Sequence, residues 1–189
     1  PRPFNTSTSV GSSTSSISTK ISTTFAINTT KMGYEIERKF LVSGDFKSDA
    51  FKSYPVRQGY LSLTGVSVVR VRVKGEQAFI TVKSALVEGK ITRHEWEYEI
   101  PVEDALEMLA LCGEGVIDKT RYLVKVGKHL FEVDEFHEGN EGLLIAEVEL
   151  EREDELFEKP SWLGEEVTGN VRYYNSFLSI HPYKEWAGT

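Results

Sequence analysis

At 189 residues, 40% hydrophobic and 27% charged, the chain has the composition of an ordinary globular protein with room for one domain and a sizeable interior. A net charge of −7 argues against a protein that coats nucleic acid, and no apolar run approaches the ~18 residues of a membrane span. The single cysteine, Cys112, excludes an internal disulfide and a zinc site built on several thiolates, and it fits a reducing, cytoplasmic setting.

Residues 1–31 stand apart. About half are Ser or Thr, none is acidic, and the only bases are Arg2, Lys20 and Lys31. A Ser-rich, acid-poor segment reads either as a transit peptide or as an upstream or vector-derived leader. The leader is the expectation, because Pro1 opens the chain, arginines are few, and Met32 directly precedes the first patterned strand. The functional domain is therefore placed at 32–189.

From Met32 onward the hydrophobic period is two. Strands are expected at Glu35–Val42, Val56–Leu63, Val66–Lys74, Ala78–Ser84, Thr92–Ile100, Val116–Val126, His129–Phe136 and Leu144–Arg152. Gly75-Glu76 and Gly127-Lys128 read as two-residue hairpin turns. Helices are expected at Val102–Leu111 and Val171–Ser179. Eight strands with short connections predict a mainly β, α+β fold: a closed eight-stranded antiparallel barrel with flanking helices, since closure removes exposed edges.

The informative residues are those that alternate with the apolar ones. Val69, Val71 and Val73 share one strand face, and Arg70, Arg72 and Lys74 the other. Glu35, Glu37 and Lys39 oppose Ile36 and Phe40, and Glu95, Glu97 and Glu99 oppose Trp96, Tyr98 and Ile100. Lys119 and Arg121, Glu132 and Asp134, and Glu147 and Glu149 repeat the pattern on later strands. On one strand this would be the solvated side of a half-buried sheet. Here it recurs on nearly every strand and is segregated by sign. An acidic wall facing a basic wall inside a barrel is a site for a metal and a polyanion.

Those residues also carry a family resemblance. Glu35-Ile36-Glu37-Arg38-Lys39 looks like the E-x-E-x-K signature of the CYTH family, the triphosphate tunnel metalloenzymes. Arg57-Gln58-Gly59-Tyr60-Leu61, Arg70-Val71-Arg72, Thr81-Val82-Lys83, Glu95 with Glu97, Lys119-Thr120-Arg121-Tyr122, Glu132 with Asp134, and Glu147-Val148-Glu149 follow in family order. Glu166-Val167-Thr168, Arg172-Tyr173 and Asn175 are similar to the closing segment of short bacterial members. The match runs from Met32 to about Ile180. Val171 stands where many relatives carry a lysine.

The chemistry suits such a site. Alternate carboxylates on a strand lie about 6.6–7 Å apart and can grip a hard cation, Mg²⁺ or Mn²⁺. Glu35, Glu37, Glu147 and Glu149 would supply ligands, as the resemblance also implies; the alternative is that they only neutralise the basic wall. Glu132 and Asp134 extend the acidic set or, with Glu95 and Glu97, orient the attacking water. Lys39, Arg70, Arg72, Lys83, Lys119, Arg121 and Arg172 could cradle phosphoryl groups. The resemblance pairs Lys119 with Tyr60 at the scissile end, the phenol acting as a base or simply hydrogen-bonding. No G-x-x-x-x-G-K-[ST] loop or H-E-x-x-H spacing offers a rival chemistry.

The resemblance thus implies metal-dependent hydrolysis of inorganic tripolyphosphate to pyrophosphate and phosphate. The alternatives are a class IV adenylate cyclase, a nucleoside or thiamine triphosphatase, and a polyphosphate-binding module without turnover. The expected partner is a small triphosphate, with neither nucleic acid nor membrane, and a homodimer is left open.

Overall fold

The computed structural model describes residues 36–64, 67–84 and 95–188. The tail 1–31, Glu35 and the expected strand start at Thr92 lie outside the described residues.

Among the described residues, nine strands form one antiparallel sheet: β1 Ile36–Val42, β2 Ala50–Leu63, β3 Ser67–Lys74, β4 Gln77–Ser84, β5 Glu95–Ile100, β6 Ile117–Val126, β7 His129–Phe136, β8 Leu144–Leu150 and β9 Leu163–Glu166. Their spatial order is β5-β4-β3-β2-β6-β7-β8-β1-β9. The two hairpin turns fall as expected, joining Lys74 to Gln77 and Val126 to His129. Gly75 and Gly127 adopt φ of 59° and 57°, a left-handed conformation that glycine enters without steric cost.

The closed eight-stranded barrel is corrected to an open nine-stranded sheet. Closure would pair β5 back onto β1, but the second edge of β1 is taken by β9, through Phe40 opposite Glu166 and Val42 opposite Leu163. The sheet is nevertheless strongly curled. Glu37 and Lys39 of β1 and Lys83 of β4 line one cavity, although five strands separate β1 from β4 in the sheet order.

β2 also begins earlier than expected. Its first half, from Ala50 to Pro55, pairs with β6 alone, and β3 joins from Val56 onward. Pro55, which cannot donate to a ladder, sits in that half with a ladder on one side only. Near the C-terminus the expected Val171–Ser179 helix divides into a 3₁₀ turn, Val171–Tyr173, and a short helix α2, Asn175–Leu178. Tyr174 lies between them in an extended conformation, with φ −82° and ψ 137°.

The apolar alternates pack on the outer face. Phe40, Val124, Phe131, Val133, Ala146 and Val148 are buried under Phe46 and Trp162, which come from connecting segments. Helix α1, Val102–Leu111, covers β3 and β4 through Ala105 and Leu109 against Val71 and Ala78. A third cluster lies on the inner face, where Ile117, Phe136, Leu143, Ile145 and Leu178 close one end of the trough. Each fully buried side chain of this size contributes roughly 1.5–3 kcal/mol, so the charged inner face stands on a substantial apolar frame.

Candidate functional site

Two ionic clusters occupy the inner face. The first spans β1, β6, β7 and β8. Its centre is Asp134, 1% exposed, which accepts from Lys119 Nζ at 2.6 Å and from Arg121 Nε and Nη2 at 2.7 and 2.6 Å. Arg121 also meets Glu132, and reaches Glu147 Oε2 at 3.2 Å. Lys39 bridges Glu37 and Glu147.

Burial alone would push the Asp134 carboxyl up, but Arg121 and Lys119 outweigh it and hold the acid below its ordinary range. The same contest holds Glu147 well below that range, with Lys39, Arg121 and Lys119 overcoming burial. Lys119, 1% exposed, is pushed down by burial despite Asp134. Burial also depresses Lys39, but Glu147 and Glu37 reverse the sign and raise it.

Glu37 behaves oppositely to Glu147. Its side chain is 37% exposed, yet desolvation against the curled sheet and the charge of Glu147 push its carboxyl up to about 7. The two carboxyls are driven apart because Glu147 faces two more cations than Glu37 does. Glu149 lies opposite Glu37 in register but is exposed. Among the described residues no three acidic, His or Cys side chains converge into a complete metal cage. The donors present, two adjoining carboxylates with one held partly protonated by the other, suit a hard divalent cation that would relieve their repulsion.

The second cluster spans β3, β4 and β5. Arg70 and Arg72 both direct Nη2 at Glu97 Oε2, at 3.4 and 3.1 Å. Thr81, fully buried, accepts from Arg70 at 3.1 Å and donates to Glu97 at 2.7 Å. Lys83 pairs with Glu95 at 2.7 Å. Among the described residues, Arg70 Nε and Arg72 Nε are buried side-chain donors that make no hydrogen bond. Burial and the neighbouring Arg70 lower the Arg72 pKa, against the pull of Glu97.

A cavity of about 380 Å³ joins the clusters, with Glu37, Lys39, Tyr60, Arg70, Lys83, Thr168 and Asn175 among its lining residues. The expected partnership of Tyr60 with Lys119 is not made. Tyr60 takes a 3.4 Å contact from Gln58 Nε2, while Lys119 is held by Asp134 and by Asn175 Oδ1 at 3.3 Å. Burial raises the phenol pKa, and Arg70 only partly offsets it, so the group stays neutral near pH 7. Arg172 is not brought to the cavity: its guanidinium lies 4.1 Å from the ring centre of Trp186.

Thr81 and Asn175 take part in the site although the sequence reading gave neither a role. The hairpin register could have found one partnership. A two-residue loop that sets Val126 opposite His129 necessarily sets Arg121 opposite Asp134.

Residues 33–176 match the CYTH domain. The chain is 48% identical over 156 residues to an inorganic triphosphatase of Acetivibrio thermocellus, covering 82% of this chain and 99% of the relative. It is 42% identical over 151 residues to an inorganic triphosphatase of Nitrosomonas europaea, covering 77% and 97%. The crystal structure of the inorganic triphosphatase NE1496 superposes with a TM-score of 0.63 at 37% identity, covering 79% of this chain and 96% of that one.

Proposed function

The chain belongs to the CYTH domain family, and on that premise we propose that it is an inorganic triphosphatase, converting tripolyphosphate to pyrophosphate and phosphate with Mg²⁺ or Mn²⁺. The observation that carries this reading is that Lys39, Arg70 and Lys83 line one cavity together with Glu37, while Arg72 stands beside Arg70 on β3 and the buried Nε–H of each arginine makes no hydrogen bond among the described residues. Buried polar groups are nearly always satisfied, and a fork of N–H groups suits phosphate oxygens. The high identity to two proteins named inorganic triphosphatase supports the same substrate.

Lys39, Arg70, Arg72 and Lys83 bind the phosphates. Glu95 and Glu97 aim that basic wall rather than act on the reacting atoms. Asp134 and Glu132 fix Arg121, and Asp134 also fixes Lys119, which supplies positive charge at the closed end of the trough. Tyr60, neutral, donates a hydrogen bond. Glu37 and Glu147 would hold the divalent cation, with Glu149 opposite Glu37 in register. Such a cation neutralises phosphoryl oxygens as charge develops on them. The cytoplasmic setting rests on the single thiol, Cys112.

The test is phosphate release from tripolyphosphate, ATP and thiamine triphosphate with Mg²⁺, alongside a cyclic-AMP readout. The expected result is the highest kcat/KM on tripolyphosphate and no cyclic AMP. A nucleotide preference would move the assignment to a nucleoside triphosphatase, and cyclic AMP to a cyclase. Thermal stabilisation by tripolyphosphate without turnover would leave only a binding module.

A further inference from the structure

Lys119 ends at the junction of three things: the apolar closed end of the trough, the Asp134 carboxylate and the C-terminal helix. Its Nζ lies 5.2 Å from the ring centre of Phe136, 2.6 Å from Asp134 Oδ2 and 3.3 Å from Asn175 Oδ1. An ammonium has three donors in a tetrahedral fan, so two fixed acceptors determine where the third N–H points. Asp134 alone does not fix the fan, because it is shared with Arg121 and accepts from both cations. Rotation about the Lys119–Asp134 contact is limited by the second acceptor, Asn175.

The fold gives Asn175 a firm base. It opens α2, and three residues later Leu178, 1% exposed, is buried among Ile117, Phe136 and Ile145. Ile117 precedes Lys119 by two residues on the same face of β6, and Phe136 is the strand neighbour of Lys119. Two of the residues that anchor the helix, Ile117 and Phe136, therefore neighbour Lys119 in the sheet.

We propose that Asn175, which itself lines the triphosphate cavity, is a positioning residue that, by accepting one N–H of Lys119, fixes the buried ammonium beside that cavity. The C-terminal segment is then part of the working site and not merely its plug. The inference rests on the triphosphatase reading, within which Lys119 acts on the substrate.

The test compares wild type, Asn175→Ala, Asn175→Asp, Lys119→Ala and the Lys119→Ala/Asn175→Ala double variant on tripolyphosphate with Mg²⁺. Wild-type turnover checks the triphosphatase reading first, so its failure is distinct from failure of the inference. Asn175→Ala should lower kcat about 10- to 100-fold, the range for a misaimed catalytic group, while KM changes less than about twofold. Asn175→Asp retains the acceptor and should restore most of kcat, with KM raised by its charge. The double variant should be no slower than Lys119→Ala, since both changes remove one interaction.

Unchanged kcat in Asn175→Ala overturns the proposal. So does a loss confined to KM, which would make Asn175 a direct substrate contact, and so does full additivity with Lys119→Ala. If Asn175→Ala does not fold, Asn175→Ser takes its place, and equal kcat for the Ser and Asp variants and wild type would again overturn it.

Discussion

The two ionic walls are built from the same residue types and satisfy them differently. On β6 and β7, Arg121 and Lys119 converge on one buried carboxylate, Asp134, that is held ionised by them. On β3, Arg70 and Arg72 share one partly exposed acid, Glu97 of β5, at the longer distances of 3.4 and 3.1 Å, and each keeps a buried Nε–H without a partner among the described residues. The first wall is closed upon itself and fixes geometry. The second is short of acceptors, which under the proposed function a triphosphate would supply. Within one sheet, burial of the acid decides how tightly its cations are held in place.

The sharpest break of this contrast is Asp134→Ala. Removing the shared acid leaves two buried cations with reduced compensation, a loss of about 3–5 kcal/mol, read by urea unfolding. A loss below about 1 kcal/mol would show that the closed wall does not depend on its central carboxylate. Glu37→Gln comes next. It removes an ionisable carboxyl at the rim, where the side chain is 37% exposed, so the unfolding midpoint should stay near wild type while turnover at saturating Mg²⁺ falls to background. Near-normal turnover would remove Glu37 from the cation site.

Arg72→Ala addresses the open wall. It should lose about 1.5–3 kcal/mol in kcat/KM, the range for hydrogen bonds to charged groups. The loss should extend to every triphosphate, with stability changed by less than about 1 kcal/mol because a poorly satisfied charge is being removed. A stability loss as large as that of Asp134→Ala would erase the distinction between the walls.

Much of this contrast was legible in the sequence. The alternation of Val69, Val71 and Val73 with Arg70 and Arg72 fixes which side chains share a face, because a strand repeats every two residues. Sheet closure was not legible. The outcome turns on β9, whose four residues, Leu163-Gly164-Glu165-Glu166, carry no alternation of their own and take the edge of β1. Nor could periodicity give the state of Tyr60. It places the phenol on the inner face with Gln58, but only the three-dimensional surroundings reveal that burial outweighs the nearby cations. Arg172 was placed by its resemblance to a motif, whereas the 3₁₀ turn that carries it directs the side chain onto Trp186.

The smallest effect is expected at Glu97, where the two walls are most easily told apart by pH. Burial raises its carboxyl, but the Thr81 hydroxyl, Arg72 and Arg70 together hold it below its ordinary value of 4.5. A carboxylate depressed in the folded state contributes stability in full above that ordinary value and loses it as pH falls through the folded value. The stability difference between wild type and Glu97→Gln should therefore be constant from pH 7 down to about 4.5 and shrink below it. Its size should stay under about 1 kcal/mol, because the side chain is 35% exposed and solvent screens the pair. In turnover, the variant leaves Arg70 and Arg72 with less competing negative charge. KM for tripolyphosphate should fall or hold, and kcat should change only a few-fold, since a glutamine oxygen still accepts from Thr81. A collapse of kcat at unchanged KM would instead place Glu97 among the groups acting on the reacting atoms, and the acid of the open wall would no longer be only an aligner of its arginines.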